Sequence, residues 1–250
     1  MSSPLKLSKP NALNDGKVSA WFTLKNAEFL NTRNEIPGLN LGFNTQVSSQ
    51  EIEQNRGLLS NEIATPLNQI AYANQIHGTE IREVTKGGFA GECDGLITTT
   101  VGVALAIQVA DCAAVLLCDK EQGVIAAVHA GWRGAVGGII PKVLEIMTRK
   151  GMKVEQIQVY ISPCISKEMF EVGEEVAEQF PNAFVDTKSF DKPRVDLKGF
   201  ITHQLVESGV LDKHIECEAG CTVLDSTMYY SYRREREKSG RMMAIIKLNY

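Results

Sequence analysis

Apolar positions recur along this chain in two rhythms. Short runs that are continuously apolar, or that alternate with polar residues, predict strands at "KVSAWFTL" (17–24), "QIAYAN" (69–74), "EIREV" (80–84), "GLITT" (95–99), "VALAIQV" (103–109), "VEQIQVYIS" (154–162) and "MMAIIKL" (242–248). Helical spacing appears at 48–63, 136–150, 171–180 and 197–209. Ser48 and Glu51 form a capping box for the first of these, and Pro141 sits early in the second, where its missing N–H costs little. Strands bunched in the middle with helices before and after predict an α+β fold: a mixed β-sheet in a layered sandwich flanked by helices, not a doubly wound parallel sheet. No repeat and no Pro/Gly/Ser linker divides the chain, so residues 1–250 read as one domain.

The densest apolar stretch, "ADCAAVLLCDKEQGVIAAVHAGWRG" (110–134), reads as a β-hairpin of runs 113–118 and 124–128 around a polar turn. A loop centred between Lys120 and Glu121 would pair 118 with 123 and set Cys112 directly opposite His129, with Cβ atoms about 4.5–5.5 Å apart. A slip of one residue would put the two on opposite faces. The ordinary alternative is a thiol packed as a small hydrophobe and a histidine bonded to backbone.

Composition narrows the function classes. The chain has 26 basic and 30 acidic side chains, a net charge of −4, so it lacks the basic footprint of a nucleic-acid or anionic-membrane binder. The amino terminus, "MSSPLKLSKPNALNDG", carries no apolar core of signal-peptide length and no window approaches a membrane span, which gives a cytoplasmic expectation. The six cysteines are then expected to be reduced, which favours metal or nucleophile roles over disulfides. Cys217 and Cys221 are closely spaced but have no second pair to complete a structural zinc site.

"NQIHGTE" (74–80) places His77 between two strands, so His77, Cys112 and His129 all fall at strand ends. Two imidazoles and one thiolate suit zinc with a fourth position open, the pattern of a catalytic centre. Cys112 with His129 alone would equally satisfy a metal-free nucleophile dyad. "HAGWRGAVGG" (129–138) adds four glycines before a helix, with Arg133 among them; this could cradle an anion, or the glycines could simply make a sharp strand-to-helix turn with Trp132 as a plug. Arg56 falls on an amphipathic helix, where a solvated surface role is the ordinary expectation.

The runs "NQIHGTE", "VADC", "VHAGWRG", "EVGEEV", "CT" (221–222) and "SYRREREKSGRMMAII", in that order over residues 17 to 248, resemble the YfiH-like laccase-domain family. The resemblance implies a fold similar to the deamidase toxins and a zinc held by His77, Cys112 and His129. It implies a purine nucleoside phosphorylase with adenosine deaminase and methylthioadenosine phosphorylase activity. The family has also been described as a peptidoglycan editing amidase acting on a nucleotide-linked muramyl precursor, and as polyphenol oxidases. Four histidines cannot build a multi-copper cluster, so copper could enter only as a single ion. On the leading reading the partners are a nucleoside and phosphate, Asp94 and Glu171 are candidate proton carriers beside Cys112 and His129, and Arg56 and Arg133 are candidate anion ligands. The chain departs from the family pattern at "ISPCIS" (161–166), where Gly often precedes Pro, and at Phe170, where a Tyr is usual.

Overall fold

The computed structural model describes residues 5–28, 35–119 and 121–249. Twelve of its strands form two stacked six-stranded sheets. The first runs Leu7–Ser8, Val18–Thr23, Met242–Leu248, Ala104–Val109, Ile70–Asn74, Gly88–Glu92. The second runs Ile215–Cys217, Gln158–Ile161, Ala113–Asp119, Val124–Ala130, Gly95–Thr98, Ile81–Glu83. Both mix parallel and antiparallel pairs, so the expected mixed layered sandwich is what the chain forms.

Alternation along the strands divides the core. Ala114, Leu116, Cys118, Ile125 and Ala127 point between the sheets, where they meet Leu105, Ile107, Ala244 and Ile246. Their neighbours Val115, Leu117, Ala126 and Val128 face outward onto the helices Ile139–Arg149 and Leu197–Glu207, through Val143, Met147, Ile201 and Leu205. On the far side, helix Ser49–Glu62 lays Leu59 on Ala104, Ala106 and Met243 of the first sheet. The hairpin strands are therefore covered on both faces, which is why they read as continuous apolar runs. Truncating Leu116 or Leu117 to Ala would cost about 2–5 kcal/mol.

Several elements differ from expectation. The helix expected over 136–150 breaks at Gly137–Gly138 into Trp132–Val136 and Ile139–Arg149, because Gly138 takes φ +82°. The helix expected over 171–180 is only Glu174–Ala177, and the strand of 154–162 begins at Gln158 after a 3-10 turn. The hairpin register is displaced by two residues: Asp119 pairs with Val124, and Ala114, not Cys112, lies opposite His129. The cause is local. The Asp119 carboxylate accepts the N–H groups of Glu121 and Gln122, and Gly123 takes φ +63°, which closes a longer turn than a two-residue loop.

Among the places where the chain crosses between the sheets at one end of the sandwich, two carry the candidate site. Ile70–Asn74 belongs to the first sheet and Ile81–Glu83 to the second; Ala104–Val109 and Ala113–Asp119 divide the same way. His77 rides the first crossing and Cys112 the second.

Candidate active site

A two-residue displacement keeps side chains on the same face, so Cys112 still projects on the side of Ala114 and His129. It extends beside Gly131, where an added Cβ would lie 2.9 Å from Cys112 Sγ and 3.4 Å from His77 Cδ2. The missing side chain is what lets the three groups close up. Donor atoms of His77, Cys112 and His129 all lie within 4.8 Å of one another, and the two imidazoles meet edge to face at 4.8 Å between centroids.

Asp94 fixes this arrangement from beneath. Fully buried, it takes His129 Nδ1 at 2.8 Å and accepts the backbone N–H groups of Ile76, His77 and Gly78 at 3.2, 2.9 and 2.7 Å. The bond to Asp94 keeps a proton on Nδ1 and turns Nε2 of His129 toward the cluster, where it carries a second proton beside the thiolate or, with that proton displaced, presents its lone pair. Burial opposes the Asp94 charge, but His129 and the loop amides outweigh it and hold the carboxyl below its usual range. Burial likewise resists ionisation of the Cys112 thiol, and His129 and His77 overcome it, so the thiolate is favoured. His129 is drawn the opposite way, toward the imidazolium, by Cys112 and Asp94 against the effect of burial. A site that stabilises a thiolate and a cation beside it, with two imidazoles at bonding range, has the donor chemistry of a His2Cys metal centre.

The cluster opens on a pocket of about 490 Å³. Gln75, Gln108 and Asn44 supply amides, Trp132, Phe170 and Tyr232 supply rings, and Arg233 and Arg241 supply positive charge. Asp111 is its lining carboxylate, held at φ +84° and accepting Thr222 Oγ1 and Arg233 N–H, both at 2.6 Å. His77 also has positive φ, +60°. Two non-glycine residues in the left-handed region beside one cluster are strain held in place by the Asp94 and Asp111 networks.

Of the other expected residues the structure brings only Asp94 to the cluster, as a support and not as part of the pocket wall. Asp94 lies under the cluster, outside the pocket lining. The Glu171 carboxylate faces outward to Lys192 and Arg194, and only its backbone carbonyl turns inward, to Arg233 Nη1 at 2.9 Å. Arg133 is exposed and stacked on the Trp132 ring at 4.2 Å. Arg56 is buried against the outer face of the first sheet, so its expected surface position is corrected. The glycines of 131–138 allow close packing: a Cβ at Gly134 would meet the Gly78 carbonyl at 3.0 Å, so this turn is built against the His77 loop. Asp111, Arg233 and Arg241 were within reach of sequence reasoning, inside "VADC" and "SYRREREKSGR", but nothing in local spacing aims them at Cys112.

Residues 20–249 match the family described as multi-copper polyphenol oxidoreductase laccase. The chain belongs to this family. It is 37% identical over 214 residues to a purine nucleoside phosphorylase of Deinococcus radiodurans, covering 84% of this chain and 82% of that one. It is 30% identical over 226 residues to a protein named adenosine deaminase from an unknown prokaryotic organism, covering 84% and 86%. The crystal structure of YlmD from Geobacillus stearothermophilus superposes with a TM-score of 0.87 at 27% identity, over 96% of this chain and 94% of that one. For this family member the laccase description meets a physical obstacle. His203 pairs with Glu207 at 3.3 Å and His214 lies in a 3-10 turn, which leaves two of four histidines at the centre.

Proposed function

We propose that this protein is a zinc-dependent purine nucleoside phosphorylase that also cleaves methylthioadenosine and deaminates adenosine at the same centre. The observation that carries the reading is the convergence of His77, Cys112 and His129 donors within 4.8 Å at the floor of a pocket walled by aromatic rings and two arginines. Relatives named for both activities support it.

His77, Cys112 and His129 would hold the ion, which would act as a Lewis acid toward an oxygen of substrate or water. The remaining roles belong to the chain itself. Trp132, Phe170 and Tyr232 offer flat apolar faces for a purine. Gln75 is locked to the backbone of Gln108 by reciprocal 2.8 Å bonds, which leaves the Gln108 amide and Asn44 to read base edges. Arg233 and Arg241 are the anion ligands in this reading, in place of Arg133 and Arg56. Burial lowers the pKa of Arg241, partly offset by Cys112, Tyr232 and Asp111, so this cation gains from an incoming phosphate. Asp94 holds the proton on His129 Nδ1 and orients the ring.

Phosphate is the reactant that tests the assignment. Inosine or methylthioadenosine cleavage by the zinc-loaded protein is expected to saturate with phosphate and to release the pentose 1-phosphate, whereas adenosine deamination proceeds without it. Equal purine release in phosphate-free buffer, with free ribose as product, would refute the phosphorylase. Turnover of a muramyl amide with none of nucleosides would put the amidase in its place.

A further inference from the structure

On the opposite face of the first sheet lies a second cavity, of about 280 Å³. Leu59, Ile70, Ala106 and Met243 make its apolar walls, and Arg56 lines it with the rings of Phe43 and Tyr72. Arg56 is 7% exposed. Its Nε donates to the Leu41 carbonyl at 3.0 Å, and its guanidinium lies over Phe43 at 4.2 Å and Tyr72 at 4.7 Å. Nη2 is buried and has no hydrogen-bond partner, and among the described residues Arg56 makes no ion pair. Burial pulls its pKa down to about 10, with Tyr72 offsetting part of the effect, but arginine keeps its charge at neutral pH.

A strut that only anchors the Leu41 carbonyl needs Nε and nothing more. Here a complete cation has been taken out of water beside open space, and a buried charge calls for an opposite one. The lining suits one particular kind of anion. It offers one guanidinium whose Nη groups make no hydrogen bond among the described residues, a single cation where a phosphate dianion calls for more, set beside apolar walls and two rings to lie against a flat body. Glu53, exposed on the same lining, opposes any anion and so supplies a control of opposite sign.

We propose that this cavity binds a small organic carboxylate with a flat apolar body, its carboxylate against Arg56 and its body against the apolar walls and the Phe43 and Tyr72 rings. The site is separate from the metal-centre pocket, although Phe43 lines one and its neighbour Asn44 the other.

Benzoate is the probe, with benzamide as its neutral counterpart and inorganic phosphate as the alternative anion, followed by two-dimensional amide NMR on the full chain. Benzoate is expected to shift the amides of Ile70, Tyr72, Ala106 and Met243 saturably, with a Kd on the order of 1 mM, and benzamide to bind roughly tenfold more weakly. Glu53→Gln should tighten benzoate binding roughly threefold, and Arg56→Met should weaken it roughly tenfold. If Arg56→Met fails to fold because the Leu41 anchor is lost, Leu67→Glu carries the test: Leu67 is 44% exposed on the same lining, and a carboxylate there should weaken benzoate by roughly fivefold. No saturable shift at these amides by about 50 mM benzoate would overturn the proposal. So would equal binding of benzamide, preference for phosphate, or shifts confined to the surroundings of Arg233 and Arg241. None of these readouts depends on nucleoside turnover.

Discussion

The pocket over the His77, Cys112 and His129 cluster has two walls built by different means. One wall is strand-borne: His129 closes a strand buried along its whole length, Cys112 enters the neighbouring strand, and Asp94 beneath them accepts four donors. The other wall is made of chain ends and turns. Phe170 precedes a one-turn helix, Tyr232 and Arg233 begin a helix of four residues, and Arg241 stands just before the Met242–Leu248 strand. In the strand wall, sheet register and the Asp94 hydrogen bonds together set where the donors stand, the kind of placement that metal ligation demands. In the turn wall, the two arginines are each tied through one nitrogen, Arg233 Nη1 to the Glu171 carbonyl and Arg241 Nη1 to the carbonyls of Ser239 and Gly240. Such ties suit groups that adjust to a substrate. The molecule thus pairs a floor of clustered donors set by strands with a rim of side chains set by turns.

The sharpest way to break this contrast is at the floor. Cys112→Ala or His129→Ala should abolish zinc retention by elemental analysis and cut turnover by roughly a thousandfold or more, the scale of a lost Lewis acid. The fold should survive, because a core of this extent does not rest on one ion. Chelation of the intact protein should do the same, and added zinc should restore activity. Activity that persists after full chelation, and is lost in step with alkylation of Cys112, would instead establish the nucleophile dyad.

Next comes the support under the floor. Asp94→Asn should lower zinc affinity by roughly 10–100-fold through loss of His129 orientation, measured by competition with a chelator. Asp94→Ala, which strands His129 and three amides, should destabilise the fold by about 3–5 kcal/mol in denaturant titration. If zinc affinity is unchanged in the Asn variant, Asp94 does not act through His129.

Rim variants should show a different signature. Arg233→Ala and Arg241→Ala are each expected to weaken phosphate dependence by about 1.5–3 kcal/mol while zinc content stays constant. A parallel loss of zinc would erase the division between the walls. The smallest effect belongs to Arg133→Ala, which removes only a stacking partner of Trp132 at the surface and should change the phosphate KM by about 0.5–1 kcal/mol or less.

The same division decides what could be read from sequence. The layered fold was legible because strands covered on both faces announce themselves as apolar runs. The convergence of Cys112 and His129 survived a misplaced turn because the error was an even number of residues, and parity, not exact pairing, sets the face. Arg133 was drawn toward the site by its place in a glycine-rich helix start, and Arg56 by residue type alone. Their real positions follow from a helix start that turns Arg133 outward and from packing of helix Ser49–Glu62 on the far sheet face. Arg233 and Arg241 reach the pocket only because Met242 pairs with Val109 and Asp111 takes the Arg233 amide, contacts more than a hundred residues apart in the chain. The carboxylate network of Asp94 is equally non-local: it links a loop, a strand entrance and a strand end that no short window contains.

Gly131 shows how little freedom the rigid floor leaves to evolution or to an engineer. Its hydrogen occupies the place where any Cβ would press on Cys112 Sγ at 2.9 Å, and the obstructing atom is a short side chain on a constrained strand entrance, with no flexible tip to swing aside. A saturation library at position 131, selected for zinc retention, would therefore return glycine almost alone, while the same library sorted only for folded protein would admit alanine. The gap between those two populations measures directly how much of the local alphabet is spent on the metal centre and how much on the fold.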